Sequence, residues 1–410
     1  RMAARHGQFV RRRHGDQLHE LLRIMRMTMK LRVFTSFSGY DSQLMALRDI
    51  GADYECVGWS EIDKWAIKAH NAVFPELADR NYGDITKIDW NAVPNFDLFT
   101  YSFPCTDISS AGEQKGFDED SGTRSSLLWE CRRPIAAKRP KFLLMENVKA
   151  LVSEKYRPLF LKWESWLRSL GYVNYTEILN AKDYGVPQNR ERVFMLSILN
   201  GCWYEFPHPV RLEKRLKDVL EMEVDEKYYL SETMLKFLQK QTGRNEPFKP
   251  AKIADLNGVA MTINARAHKM GKQDNYVMQI GATKETDWNR QQYRVYDPTG
   301  ISPTITTKSG GGLEPKILMR GRGFNKGGEA DIPGTITGSA WEQNNLLNYA
   351  GCIRRLTPRE CLRLMDVSDS DINKIQAAGI SDTQQYKLAG NSIVKAPMMG
   401  IFENMLRFNS

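Results

Sequence analysis

Between Lys30 and Asp63 the chain reads as strand, turn, helix, strand and acid, an order that leaves few folds open. Lys30-Leu-Arg-Val-Phe-Thr-Ser-Phe37 has the apolar content of a buried strand, and Phe37-Ser-Gly-Tyr-Asp41 turns. Ser42-Gln-Leu-Met-Ala-Leu-Arg48 then reads as a helix. Tyr54-Glu-Cys-Val-Gly-Trp-Ser60 is a second strand, ending at Glu61-Ile62-Asp63. Two parallel strands joined by a helix are the nucleoside-binding half of an open α/β sheet, in which an acid about 20 residues beyond the turn meets a ribose. The turn has no full GxGxxG, which argues against a pyrophosphate-bearing dinucleotide. A nucleoside without a pyrophosphate, such as S-adenosylmethionine, needs fewer close backbone approaches.

The alternation continues to about residue 200. Phe96-Asp-Leu-Phe-Thr100 is a short buried strand that runs into Tyr101-Ser-Phe-Pro-Cys-Thr-Asp-Ile-Ser-Ser110. Pro104 fixes φ and removes a donor, so a loop begins there and Cys105 stands at a strand end. Chemistry in open α/β sheets is done at that edge. An isolated cysteine reads equally as a small buried hydrophobe, whereas one on a sheet rim is a candidate nucleophile. Ser126–Arg132 is helical in pattern. Lys141-Phe-Leu-Leu-Met145 is a buried strand delivering Glu146 to the same rim, and a helix is expected from about Tyr156 to Leu170. In Asn81-Tyr-Gly-Asp-Ile85, Asp84 can accept from an adenine amino group. Strands near Tyr175–Leu179 and Arg192–Ile198 bracket a segment in which Gln188, Arg190 and Arg192 alternate, which predicts one shared face.

From Gly201 to about Tyr349 the alternation stops. Gly258-Val-Ala-Met-Thr-Ile263, Gly300-Ile-Ser-Pro-Thr-Ile-Thr306 and Asp331-Ile-Pro-Gly-Thr-Ile-Thr337 form a weak repeat of short strands with glycine turns, a β-rich module. Residues 244–326 hold fourteen Lys/Arg against seven Asp/Glu, interleaved with Tyr276, Trp288, Tyr293 and Tyr296. That pattern suits an anionic polymer. Arg320, Arg322 and Lys308, beside glycine-rich turns, are the candidate contacts to such a polymer. The net charge of +9 includes +5 from residues 1–28, a basic leader with no signal-peptide core, so Met27 or Met29 reads as the natural start. Beyond the module, Thr357, Pro358 and Glu360 spell a helix N-terminus with a capping box. Leu388–Val394 is expected to enter a last helix, with Asn391 and Ser392 at its start.

At 410 residues the chain predicts two or three domains. No apolar run approaches the roughly 20 residues of a membrane span. Six cysteines without a CxxC argue against a disulfide framework or zinc site, and fit a reducing cytoplasm.

Taken in order, Phe37-Ser-Gly, Glu61, Gly83-Asp-Ile85, Phe103-Pro-Cys105, Glu146-Asn-Val148, Gln188-x-Arg-x-Arg192, Arg355-Leu-Thr-Pro-Arg-Glu360 and Gly390-Asn-Ser392 resemble the motifs of the cytosine-5 DNA methyltransferases. The similarity covers roughly residues 30–200 and 350–410. It departs at Asp41, where the family pattern FxGxG has glycine, and at Thr106, where PCQ has glutamine. The resemblance implies a Rossmann-like S-adenosylmethionine-dependent catalytic domain in two segments, 29–200 and 351–410, with a small target-recognition domain, 201–350, inserted between them. It implies Cys105 as nucleophile toward C6 of cytosine and Glu146 as the group that stabilises ring charge. Arg192 would hold the base O2 and Arg190 would brace the active-site loop. The cofactor would lie against Phe37, Ser38, Gly39, Glu61, Ile62, Asp84, Ile85, Pro104, Leu127, Asn391 and Ser392, with no metal. Asp107–Thr123 would be the lid over a flipped-out base. Expected partners are double-stranded DNA and, functionally, a companion restriction endonuclease, with the enzyme acting as a monomer. A tRNA cytosine-5 methyltransferase and a non-catalytic DNA-binding relative are the alternatives.

Overall fold

The computed structural model describes residues 30–108, 115–119, 121–201, 203–229, 258–263, 265, 276–278, 317–322, 325–330, 345–346 and 353–408. The basic leader, Lys308 and two of the three Thr-Ile segments lie outside the described residues. The chain divides into two compact units, one of residues up to Lys214 with Leu362 onward, the other Arg215–Cys361.

The first unit is built on a six-stranded sheet. Its strands are β1 (Leu31–Ser36), β2 (Tyr54–Ser60), β3 (Leu98–Tyr101), β4 (Phe142–Val148), β5 (Tyr172–Asn180) and β6 (Glu191–Leu199). Their order across the sheet is β2-β1-β3-β4-β6-β5. The first four are parallel, and β6 runs antiparallel between β4 and β5. The central strands β1, β3 and β4 are buried except at Arg32 and, in part, Val148, as strands covered on both faces are. Phe34, Phe99, Tyr101 and Trp163 are fully buried in this core.

From β1 the chain crosses to β2 on one side, then returns to place β3 on the other. That reversal opens a crevice at the carboxyl ends of β1 and β3. The turn leaving β1 carries three left-handed residues, Phe37 (φ 55°), Gly39 (φ 60°) and Asp41 (φ 66°). Aspartate tolerates this region because its short side chain bonds locally. The Asp41 carboxylate caps α1 (Ser42–Asp49) by accepting from Leu44 N at 3.1 Å, and accepts from Thr35 Oγ1 at 2.7 Å. The departure from the glycine of FxGxG therefore keeps the turn and adds a cap.

The C-terminal segment folds back onto this turn. Helices α6 (Asp369–Ala377), α7 (Asp382–Asn391) and α8 (Lys395–Phe408) follow α5 (Pro358–Arg363), and α8 packs on α1 while α6 packs on α2 (Lys64–Val73). Arg48 on α1 donates to the buried Asp371 at 2.6 Å, and Ser42 Oγ meets Ser392 Oγ at 2.8 Å. Asn391 ends α7 and Ser392 follows it as the cap, so these two residues close one helix and do not start the next.

Two further expectations shift. Arg124–Cys131 forms 3-10 turns, held at their start by Thr123, and the α-helix begins only at Arg132 (α3, Arg132–Lys138). β4 runs past Met145 to Val148, because antiparallel pairing with β6 extends the ladder beyond the end of β3. Glu146 is therefore a strand residue paired with Phe194. The helix expected from Tyr156 spans Arg157–Ser169 (α4).

In the second unit, Ile317–Arg322 pairs antiparallel with Asn325–Ala330 and Asn345–Leu346, and Tyr276–Met278 with Ile353–Arg355. The glycine-rich stretch Gly321–Gly328 contributes its two ends to paired strands. The capping box holds: Thr357 N donates to Glu360 at 2.8 Å and Glu360 N to Thr357 Oγ1 at 3.2 Å. The fully buried partner of Glu360 is Arg354, at 2.7 Å, and not Arg355, the arginine of the motif. Arg355 lies over the Tyr228 ring instead.

Asp41→Ala should lower stability by about 2–4 kcal/mol, a lost cap together with left-handed strain on a β-carbon. Asp41→Gly, which accepts positive φ freely, should lose distinctly less. Urea denaturation of the two variants checks this order.

Candidate active site

A cavity of about 630 Å³ occupies the crevice. Its wall is built from strand ends: Phe37–Gly39 after β1, Ser60–Asp63 at β2, Ser102–Thr106 after β3 and Glu146–Val148 in β4. Asp84, Ile85 and Leu127 line it, as do Asn391 and Ser392 from the end of α7. The four expected catalytic side chains and all eleven expected cofactor residues therefore meet in one cavity, although they come from distant parts of the chain.

At one end Cys105, Glu146 and Arg192 converge. Arg192 Nε stands 3.3 Å from Glu146 Oε1. Burial raises the Glu146 carboxyl above its ordinary value, opposed by the Arg192 and Arg190 guanidinium groups and by a hydrogen bond from Ser102. Burial likewise raises the half-buried Cys105 thiol. Arg192 counteracts that most strongly, Glu146 adds to it, and Arg190 opposes it more weakly. The two arginines thus favour the thiolate and carboxylate that desolvation disfavours.

Arg190 is buried and is pulled down to about 9 by burial and by Arg192, which leaves it charged at neutral pH. Its Nη2 donates to the carbonyls of Gly390 (2.9 Å) and Ser392 (2.6 Å). Arg190 therefore braces the C-terminal segment. Gln188 does not share the cavity face. Its amide donates to Leu364 O at 2.6 Å, because two tight turns interrupt the extended chain, Gln188 N to Val186 O and Arg190 N to Gln188 O. Such three-residue turns break the period of two on which the expectation of a shared face relies.

At the other end, Glu61 accepts from the backbone N–H groups of Gly39 (3.0 Å), Ile62 (2.8 Å) and Asp63 (2.9 Å). Those bonds fix the carboxylate across the mouth of the β1 turn. Asp84 accepts from the Thr86 amide and hydroxyl, which hold its carboxyl below the ordinary range. Trp65, Arg124, Gln384 and Lys387 also line the cavity, and no motif points to them. The α7 positions do carry a signal: Gln384, Lys387, Leu388 and Asn391 follow the i, i+3, i+4, i+7 spacing of one helical face.

The stretch Asp107–Thr123 is not one free lid. Residues 109–114 and 120 lie outside the described residues, but Phe117 is fully buried and its carbonyl accepts from Trp129 Nε1 at 2.7 Å. Glu119 pairs with Lys162 at 3.1 Å and with Arg132. Of the candidate DNA contacts, Arg320 and Arg322 fall on a paired strand, opposite Gly327 and Asn325, and Lys308 lies outside the described residues.

Residues 31–407 match the profile of the C-5 cytosine-specific DNA methylases. The chain belongs to that family. Curated relatives of this DNA methylase include the orphan methyltransferase M.SPBetaI of Bacillus phage SPbeta, 32% identical over 92% of this chain and 98% of the relative. The Type II methyltransferase M2.ScrFI of Lactococcus lactis subsp. cremoris is also 32% identical, over 92% and 99%. The orphan methyltransferase M.SssI of Spiroplasma monobiae reaches 34% over 71% and 82%. Among solved structures, the Entamoeba histolytica methyltransferase EhMeth shares the fold with a TM-score of 0.64 at 16% identity, covering 92% of this chain and 98% of that one. The S. pombe Dnmt2 methyltransferase does so at 0.59 and 18%, with the same coverage.

The raised Glu146 carboxyl carries a stability consequence for this methylase. Well below its ordinary value of 4.5, folded and unfolded chains both hold the proton and no penalty exists. As pH rises through that value the unfolded chain ionises first, so the folded state loses relative stability. Glu146→Gln should therefore match the wild type in denaturant midpoint at low pH and exceed it at neutral pH. A less stable Gln variant at neutral pH would contradict the burial account.

Proposed function

We propose that this methylase transfers a methyl group from S-adenosylmethionine to C5 of a cytosine flipped out of double-stranded DNA, through a covalent bond between Cys105 and C6. The observation that carries the reading is the convergence of Cys105, Glu146 and Arg192 in the cavity that also presents Glu61. C5 of cytosine is a poor nucleophile. A thiolate adding at C6 pushes electron density to C5, and the same sulfur leaves well once the C5 proton is removed. Arg192 would donate to the base O2. A protonated Glu146, which burial favours, donates to N3 as charge develops there. A base stacked inside a duplex cannot enter a cavity of the protein, hence the flip.

The residues of the cavity fit the cofactor. Glu61, Asp63 and Asp84 give this end a carboxylate character that repels a pyrophosphate and suits a sulfonium cation. Glu61, with its carboxylate already oriented by three amides, would accept from ribose hydroxyls; Asp84 would accept from the adenine amino group. When bound, S-adenosylmethionine supplies the electrophilic methyl group. We assign target reading to the module between the two catalytic segments, with Arg320, Arg322 and Lys308 as its candidate contacts to bases or phosphates.

Cys105→Ser should abolish methyl transfer while DNA and cofactor binding persist. DNA carrying 5-fluorocytosine, which blocks the final elimination, should trap wild type in a denaturation-resistant complex at the Cys105 peptide. No adduct with wild type, or an equal adduct with the serine variant, would overturn the assignment. Glu61→Ala should weaken cofactor binding by about 1–3 kcal/mol, roughly 5- to 150-fold, by removing a charged hydrogen-bond acceptor. Titration calorimetry reads this directly, and an unchanged affinity would displace the nucleoside from β2. Assaying DNA against tRNA separates the proposed substrate from its closest chemical rival.

A further inference from the structure

The loop that carries Cys105 is fastened from behind by Ser125 and Asp107, which no motif singles out. Ser125, fully buried on the 3-10 segment, donates its hydroxyl to the Pro104 carbonyl at 2.6 Å. The same hydroxyl accepts from the Asp107 amide at 3.2 Å. Asp107, also buried, returns the contact: its Oδ2 accepts from Ser125 N at 3.1 Å and from Thr106 Oγ1 at 3.3 Å. One serine therefore grips the chain one residue before and two residues after the nucleophile, and one carboxylate locks that serine. A step earlier, Asn147 of β4 donates to the Phe103 carbonyl at 2.9 Å.

We propose that Ser125 and Asp107 form a positioning clamp that fixes the plane of the Pro104–Cys105 peptide behind the nucleophile. The proposal deepens the methyltransfer reading and rests on it for the role of the sulfur. A trans peptide holds its C=O and N–H pointing in opposite directions. Pinning the Pro104 carbonyl toward Ser125 therefore turns the Cys105 N–H the other way. From that side the Cys105 amide favours the thiolate, more weakly than Arg192 or Arg190 do. Without the clamp the peptide is free to rotate, and the sulfur loses that donor along with its aim at the base.

Other charges act on the same sulfur, and the clamp is distinct from them. Glu146 faces it from β4, and Arg190 and Arg192 from β6 and its approach. Arg124 lines the cavity next to Ser125, and Asp107 stands behind the loop. Ser125→Ala and Asp107→Asn leave all of these charges except that of Asp107 in place. A shift seen in the serine variant is then a matter of geometry.

The decisive experiment is alkylation of Cys105 by iodoacetamide across pH in the full chain, read at the Cys105 peptide by mass spectrometry. It needs neither DNA nor cofactor, so it can fail without touching the methyltransfer reading, which the 5-fluorocytosine adduct tests separately. Ser125→Ala should raise the midpoint of alkylation by about half a pH unit, a roughly threefold loss of thiolate at fixed pH. Turnover at saturating DNA and cofactor should fall by about the same factor with both KM values unchanged, the mark of a lost positioning effect. Asp107→Asn should move both readouts in the same direction, and it carries the test if the alanine variant does not fold. A midpoint that stays at the wild-type value in both variants overturns the clamp. A shift in Ser125→Ala alone supports the serine's role and removes Asp107 from it.

Discussion

The buried guanidinium of Arg190 joins the two halves of the catalytic unit. Its Nη2 holds the carbonyls of Gly390 and Ser392, about two hundred residues further along the chain, and so seats the end of α7 against the turn after β1. A buried arginine is tolerated only when its charge is met on several sides. Two carbonyls meet this one directly, and Glu146 opposes the repulsion of Arg192. Without that residue, the wall formed by Leu388, Asn391 and Ser392 would lose its charged anchor on the cavity side. The contacts Arg48–Asp371 and Ser42–Ser392 secure the same return of the chain from outside.

The chemistry depends on a conflict that the fold maintains. Desolvation drives the Cys105 thiol and the Glu146 carboxyl toward their neutral forms, while two arginines pull both toward anions. In the proposed reaction a neutral Glu146 donates to a ring nitrogen and the Cys105 thiolate is the nucleophile. The site needs the opposing tendencies to win at different residues. Arg192, close to Glu146 and first among the groups opposing the burial of Cys105, is placed to divide its effect between them. Sites of this kind trade stability for a pre-set charge pattern.

Much of this is legible in the amino-acid sequence because it depends on local pattern. Tyr54–Ser60 is a strand with the bounds its apolar run suggests, and the Thr357–Glu360 capping box forms as its spacing predicts. Cys105, Glu146, Glu61 and Asp84 stand at or near the ends of strands and turns, so the alternation of strand and helix brings them together. What is not legible depends on tertiary partners. Gln188 leaves the shared face because two tight turns intervene, and Arg190 faces the C-terminal segment because α7 ends there. Arg354, the neighbour of the motif's Arg355, is the buried partner of Glu360 because successive strand residues point to opposite sides. Phe117 is core, although its surroundings of Asp, Gly and Lys read as loop. A local pattern carries no information about which buried partner a side chain will find.

The central claim is that the methyl group is delivered to carbon 5 of cytosine by way of addition at carbon 6. Tritium at C5 of the target cytosine reports this without any variant of the protein. Incubation of [5-³H]cytosine DNA with the enzyme and S-adenosylmethionine should release tritium to water in one-to-one proportion with methyl groups incorporated. Methyl incorporation with the tritium retained would place the transfer on another atom, and the nucleophilic role of Cys105 would be wrong.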